Sequence, residues 1–300
     1  MSVGFVRLRR TNPTLGEDAA MLAAALALIA SLCYGVSNFV GPAISRDLPV
    51  YSVLIAGQVV AFAVSAAAVA AASLPVPEAS VFAAAALAGM GNALGLIAFY
   101  RAASLGPLSL VTPIGSLGAI VPVAAGVASG EALGPVKLAG LVLALGGVAL
   151  ASRREGGPEG VRSDMRAAGL WALAAALGFG LFLTFMAPAS DGGVFWAVML
   201  SRVALLALML GAAVLLAAPL RLPVGHLPRV AIPGLLLFAG TLAYSYATRE
   251  GDLSVVSVLG SLFPLVTVGL AFAFGERISR AQSLGVAAAL AGVVLVSLQI

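Results

Sequence analysis

Residues 106–131 read GPLSLVTPIGSLGAIVPVAAGVASGE, and residues 251–276 read GDLSVVSVLGSLFPLVTVGLAFAFGE. With a shift of 145 residues and no gap, Gly106 falls on Gly251, Leu108 on Leu253, Ser109 on Ser254 and Val111 on Val256. Gly115-Ser116-Leu117 falls on Gly260-Ser261-Leu262, and Gly130-Glu131 on Gly275-Glu276. The register continues through Gly140 on Gly285 and Gly147-Val148-x-Leu150 on Gly292-Val293-x-Leu295, so that 19 of the 50 positions in 106–155 match 251–300. A chain this rich in Ala, Leu, Gly and Val gives roughly 5 or 6 matches by chance, so the stretch is an internal repeat.

The solvent of the repeated unit follows from composition. Of 300 residues, 61% are hydrophobic and 9% charged. A soluble domain carries about 25% charged residues. This chain cannot clothe a water-soluble globule, which excludes an ordinary cytosolic enzyme, a nucleic-acid binder and a disordered protein. The net charge of +4 comes from scattered Arg without a basic block, so no nucleic-acid surface is expected. The single Cys33 allows no internal disulfide, and the single His226 excludes HExxH and multi-histidine metal sites.

A bilayer core needs about 20 apolar residues per helix. Ten apolar runs fit: 19–41, 50–73, 79–101, 107–129, 134–152, 166–188, 192–218, 228–249, 252–274 and 280–299. The fold class is therefore all-α integral membrane. The expected division is a polar tail over 1–18, a first five-helix repeat over 19–152, the polar linker RREGGPEGVRSDM over 153–165, and a second five-helix repeat over 166–300. The first run has Glu17 and Asp18 directly before it and is long enough to span, so it reads as a transmembrane helix, not a cleaved signal. Five spans is an odd number, so the second repeat must enter the membrane in the opposite sense. Inverted-topology repeats characterise alternating-access transporters, with two similar gates around a midplane site.

Ten spans in two fives, a Gly-Glu pair and a Gly-x-x-x-x-x-x-Gly-Val helix in each half, and the segment FYRAASLGPLS at 99–109 resemble the drug/metabolite transporter superfamily, in particular its EamA branch. The resemblance covers nearly the whole chain from about residue 19. Within the branch, bacterial amino-acid exporters of the YddG kind look most similar. The resemblance implies transport rather than enzymatic catalysis, both termini in the cytoplasm, and a plasma (inner) membrane location. It also implies packing roles for the Gly-rich fifth and tenth spans, with Gly140, Gly146, Gly147, Gly285 and Gly292. The branch often carries an Arg in the second helix of each half. Arg202 stands at that place in the seventh span, whereas Gln58 stands at it in the second.

Of the 28 charged side chains, 27 lie outside the spans or near their ends, and Arg202 alone lies deep within one. An Arg at that depth costs from about 2.5 kcal/mol upward in lipid, so it faces a wet cavity or a partner. It either attracts a substrate carboxylate or fixes a gate, or it bonds helix carbonyls or snorkels to one face. No Asp or Glu lies mid-span. Glu131 and Glu276 fall at connecting turns, where a capping or loop role is expected. A site without acids suits neutral, zwitterionic or anionic metabolites better than organic cations.

Helical spacing collects the remaining polar candidates. Ser109, Thr112 and Ser116 recur at i, i+3, i+7, as do Ser254, Ser257 and Ser261. Tyr34, Ser37, Asn38 and Gly41 share a face of span one, and Asn92 and Tyr100 one of span three, with Gly89. Thr241, Tyr244, Ser245 and Thr248 form a stripe in span eight. The substrate-cavity candidates are Tyr34, Asn38, Asn92, Tyr100, Ser116, Arg202, Tyr244 and Ser261. The bland alternative for each hydroxyl is a bond to its own or a neighbouring backbone. Proline inside a helix frees a carbonyl and kinks the chain, making Pro42, Pro113, Pro188 and Pro264 hinge or gate candidates, with Pro122 beside them.

Orientation by charge is divided. With the N-terminus inside, inner segments hold five Lys or Arg and outer loops ten, against the positive-inside rule, whereas the first span alone favours that orientation by three to one. The expected activity is export of amino acids, aromatic or neutral ones among them, and related small metabolites by alternating access through a cavity between the repeats. The alternatives are export of drugs, nucleobases or sugar-linked metabolites, or a passive channel. No Walker motif is present, so ATP is not the direct energy source. No cofactor, metal or catalytic residue is implied. The partners are a small-molecule substrate and the bilayer, with no nucleic acid. A monomer suffices, because a duplicated chain supplies both halves.

Overall fold

The computed structural model describes residues 13–130, 134–151, 162–275 and 280–297. Among them the regular structure is entirely helical. Lipid offers no partner to a backbone amide, so a spanning chain must pair its own. The Ala- and Leu-rich runs do this at low propensity cost.

The helices are α1 (Pro13–Ile44), α2 (Val50–Ala71), α3 (Ala79–Leu105), α4 (Leu108–Ser116), α5 (Ile120–Ala128), α6 (Pro135–Ala151), α7 (Arg162–Asp191), α8 (Val194–Leu215), α9 (Leu227–Glu250), α10 (Leu253–Gly260), α11 (Phe263–Ala273) and α12 (Arg280–Ser297). Short 3-10 turns lie at Leu117–Ala119 and Val224–His226. Among the described residues, eight crossing units are long and apolar enough to span a membrane, with α4–α5 counted as one unit and α10–α11 as another. Leu215, Val214 and Phe274 are among the large apolar side chains turned outward. The chain is thus a multi-pass membrane protein. The remaining two expected spans are the helices α6, of 17 residues, and α12, of 18, which stand outside that set.

Two expectations are corrected. The runs 107–129 and 252–274 are not continuous helices. Each breaks near its middle, at Leu117–Ala119 and at Ser261–Leu262. In each, a proline follows within a few residues: Pro122 in the first turn of α5 and Pro264 in that of α11. Proline has no N–H for the carbonyl four residues earlier, here Gly118 and Gly260, so the α-helical ladder loses a rung at the break. Tighter bonds replace it, with Leu262 N–H on Leu259 O at 3.3 Å and Leu265 N–H on Leu262 O at 2.9 Å. The boundaries also shift. α1 begins at Pro13, inside the expected tail, and α7 at Arg162, inside the expected linker.

The packing maps onto itself when α1–α6 are exchanged for α7–α12. Helix α3 packs on α7 and α8, and α9 on α1 and α2. Helix α5 packs on α7 and α10, and α11 on α1 and α4; α2 meets α8, and α6 meets α12. The correspondence reaches single atoms. A Cβ on Gly35 would fall 2.8 Å from the Phe263 carbonyl oxygen, and one on Gly180 2.6 Å from that of Gly118. Both Gly35 to Gly180 and Gly118 to Phe263 are steps of 145 residues. In lipid, helices associate through close van der Waals contact, which small residues permit. Gly178 on Gly91 and Gly95 joins α7 to α3 this way. A Cβ on Gly292 would lie 2.6 Å from the Gly140 carbonyl oxygen, which brings α12 against α6.

Candidate functional site

One cavity lies where the broken helices meet the rest of the bundle. About 480 Å³ of space free of protein atoms lies among its lining residues, open solvent included. Tyr34 and Asn38 of α1 line it with Asn92 and Leu96 of α3 and Gly115, Gly118 and Ala119 at the α4–α5 break. Phe179, Phe182 and Leu183 of α7, Leu237 of α9, Gly260 and Ser261 at the α10–α11 break, and Phe263 line it as well. No Lys, Arg, Asp or Glu is among these residues.

The lining is built from equivalent positions, but their chemistry differs. Stepping 145 residues takes Tyr34 to Phe179, Asn38 to Leu183, Asn92 to Leu237, Gly115 to Gly260 and Gly118 to Phe263. The first half supplies a phenol and two amides where the second supplies a phenyl ring and two leucines. Phe179 and Phe263 meet edge to face, with ring centroids 6.3 Å apart. Asn38 and Asn92 are 4% and 5% exposed, and neither side chain bonds to another described residue. An amide carries two donors and an acceptor, so each leaves several positions open toward the cavity. The buried Tyr34 hydroxyl also lacks a hydrogen-bond partner among the described residues.

Arg202 lies one layer behind, fully buried. Its guanidinium donates to Gln58 Oε1 at 2.8 Å, to the Leu237 carbonyl at 3.0 Å and to Thr241 Oγ1 at 2.6 Å. Its Nε has no partner among the described residues, and the Tyr34 phenol lies beside the Arg202–Thr241 pair. Gln58 and Arg202 are each the ninth residue of a 22-residue helix, α2 and α8. The two halves therefore meet at these positions. A second Arg would set cation against cation, while Gln provides an acceptor.

The sequence candidates divide accordingly. Tyr34, Asn38, Asn92 and Ser261 reach the cavity wall. Tyr100 lies outside that wall, buried with its hydroxyl packed where a Gly41 side chain would project. Ser116 bonds the Pro113 carbonyl at 2.8 Å, and Thr112 the Leu108 carbonyl at 2.6 Å, so these two hydroxyls serve their own backbone. Tyr244 donates to the Leu183 carbonyl at 2.9 Å and sits 2.8 Å from Ser257 Oγ, tying α9 to α7 and α10. Ser37 bonds the Pro233 carbonyl at 3.0 Å and joins α1 to α9. Pro42 and Pro188 fall in the last turns of α1 and α7, one residue out of the 145-residue register. Pro113 is inside α4, short of the break, whereas Pro264 directly follows one. Glu131 and Glu276 lie outside the described residues.

Sequence reasoning misses the apolar wall, Phe179, Phe182 and Phe263. Polarity is its search signal, and phenyl rings in a membrane helix do not stand out. The 145-residue step from Tyr34 reaches Phe179 directly.

A solved crystal structure has the same fold, at a TM-score of 0.68 and 18% identity, covering 93% of this chain and 95% of that one. No curated protein matches. Residues 166–298, from the body of α7 onward, match the EamA-like transporter family.

Proposed function

We propose that this chain is a secondary transporter of the EamA branch of the drug/metabolite transporter superfamily, built as ten spans in two inverted five-helix repeats, 19–152 and 166–300, joined by the linker 153–165. It exports amino acids and related small metabolites, as YddG-type exporters do, from a plasma membrane with both termini in the cytoplasm. The observation that carries the reading is the cavity walled by equivalent residues of both halves, with unpartnered amides at Asn38 and Asn92. An enzyme would need convergent acids or a nucleophile pair at such a site. The wall offers hydrogen bonds and rings instead.

The match of residues 166–298 to a transporter family and the exchange symmetry of the packing support two halves that rock about their shared cavity. The breaks beside Gly118 and Gly260 sit at the cavity, where freed carbonyls can face a polar cargo. The lack of a carboxylate among the described lining residues favours export driven by the substrate's own gradient over proton coupling.

The test is radiolabelled amino-acid uptake by proteoliposomes preloaded with unlabelled amino acid, against empty ones. Saturable exchange, accelerated by preloading, is expected, and it persists when a pH gradient is collapsed at a fixed substrate gradient. Absence of exchange for every amino acid in folded protein removes the amino-acid reading, and unsaturable flux without counterflow points to a channel.

A further inference from the structure

We propose that Tyr244 is a latch that keeps one end of the passage shut in preference to the other, a positioning residue acting through α7, α9 and α10. This deepens the transporter reading and rests on it for two ends that open in turn. The argument starts from a pair of rings. Phe99 of α3 and Tyr244 of α9 are 145 residues apart, each two turns beyond a cavity residue, Asn92 and Leu237 respectively. Each ring lies against a glycine beside a helix break. A Cβ on Gly115 would fall 3.8 Å from Phe99 Cδ2, and one on Gly260 3.3 Å from Tyr244 Cδ2. Both glycines line the cavity, so the two rings are equivalent covers of one space.

They cover opposite ends. Asp191, the last residue of α7, lies within electrostatic reach of Arg249 in the last turn of α9. Asp47, just past α1, pairs at 3.5 Å with Arg229 at the start of α9. Helix α9 therefore runs from the end where α1 stops to the end where α7 stops. Tyr244 lies toward the second of these. Phe99 lies toward the first, because the hydroxyl of its neighbour Tyr100 sits where a Gly41 side chain would project from the last turns of α1.

The hydroxyl is what differs. Tyr244 Oη donates to the Leu183 carbonyl of α7 at 2.9 Å and stands 2.8 Å from Ser257 Oγ of α10, so three helices are tied at that end. At the other end the acceptors are in place, but Phe99 brings no hydroxyl. Asn38 is equivalent to Leu183, and Pro42 offers no N–H to the Asn38 carbonyl four residues earlier. Thr112 is equivalent to Ser257. Parting α9 from α7 breaks the Tyr244 bonds, whereas parting α3 from α1 breaks no such pair. A bond made only while one end is shut weights the equilibrium toward that state.

The test is alkylation of single cysteines by N-ethylmaleimide in purified protein in detergent, followed by intact mass, with Cys33→Ala as the background. Ser190→Cys and Ser45→Cys report the two ends. These serines are 145 residues apart, seven positions along their helices from Leu183 and Asn38 and on the same faces. Tyr244→Phe gives α9 the residue that α3 already carries. It is expected to speed labelling at position 190 about tenfold without speeding it at 45. Phe99→Tyr is expected to slow labelling at 45 by a similar factor, and the two changes together to reverse the preference between the ends. An unchanged elution profile checks the fold, and if Tyr244→Phe fails that check, Phe99→Tyr decides alone. Faster labelling at both positions marks a generally loosened protein and overturns the latch. So does an unchanged rate at 190, or a double exchange that leaves the preference as it was. Labelling shifted as expected in a protein without counterflow sinks the carrier reading and keeps the latch, whereas counterflow with unshifted labelling sinks the latch alone.

Discussion

At the scale of the residue, Arg202 and Gln58 show how a charge survives in the bundle. Three neutral acceptors share the guanidinium, and only one of them comes from the other half. Removing an acceptor from a buried cation costs about 1.5 to 3 kcal/mol. Gln58→Leu is therefore expected to lower the thermal midpoint of the detergent-solubilised protein by several degrees, measured by light scattering or intrinsic fluorescence. The double exchange Gln58→Arg with Arg202→Gln recovers only part of the loss. The residue equivalent to Thr241 is Leu96, which has no hydroxyl for the relocated guanidinium. Full recovery would show that the pair alone holds the charge. In the sequence, Gln58 is a departure from a pattern. Only the contact at 2.8 Å makes it a partner.

At the scale of the element, the broken helices matter most. Ser109, Thr112 and Ser116 have the spacing of a continuous polar face, and this spacing suggests one lined passage. The break at Leu117–Ala119 interrupts that face, and Thr112 and Ser116 spend their hydroxyls on the Leu108 and Pro113 carbonyls of their own helix. Ser261 escapes because it sits at a break, where helical geometry lapses. Pro264 withholds an N–H from the Gly260 carbonyl at the cavity wall. Pro264→Ala restores that donor and straightens α10 into α11. The expected result is an unchanged or higher thermal midpoint with counterflow slowed about tenfold, because element-terminal residues absorb the motion of a closing site. Equal exchange rates in the two proteins would remove the break from the transport cycle.

At the scale of the molecule, the halves are interlocked rather than adjacent. Helix α3 is clasped by α7 and α8, and α9 by α1 and α2. Neither half keeps its partners alone. A protease site placed in the polar stretch 153–161, ahead of α7, tests this. Once cut, the protein is expected to elute as one species at its original volume in mild detergent, with counterflow retained. Separation of two fragments on size-exclusion chromatography would show that the linker, not the packing, holds them together.

The sequence alone determined the solvent, the helices and the duplication. Those depend on composition and on a period that any stretch displays by itself. It also marked Tyr34, Asn38, Asn92 and Ser261, since uncharged polar groups are conspicuous among apolar ones. Tertiary structure decided which hydroxyls bond their own backbone, which residues accept from Arg202, and that phenyl rings of α7 and α11 complete the wall. Such facts join residues far apart in the chain: Gln58 and Arg202 are separated by 144 positions, and the rings of Tyr34 in α1 and Phe182 in α7 meet edge to face. No local pattern encodes such pairs. They follow from where close packing at small residues allows helices to cross.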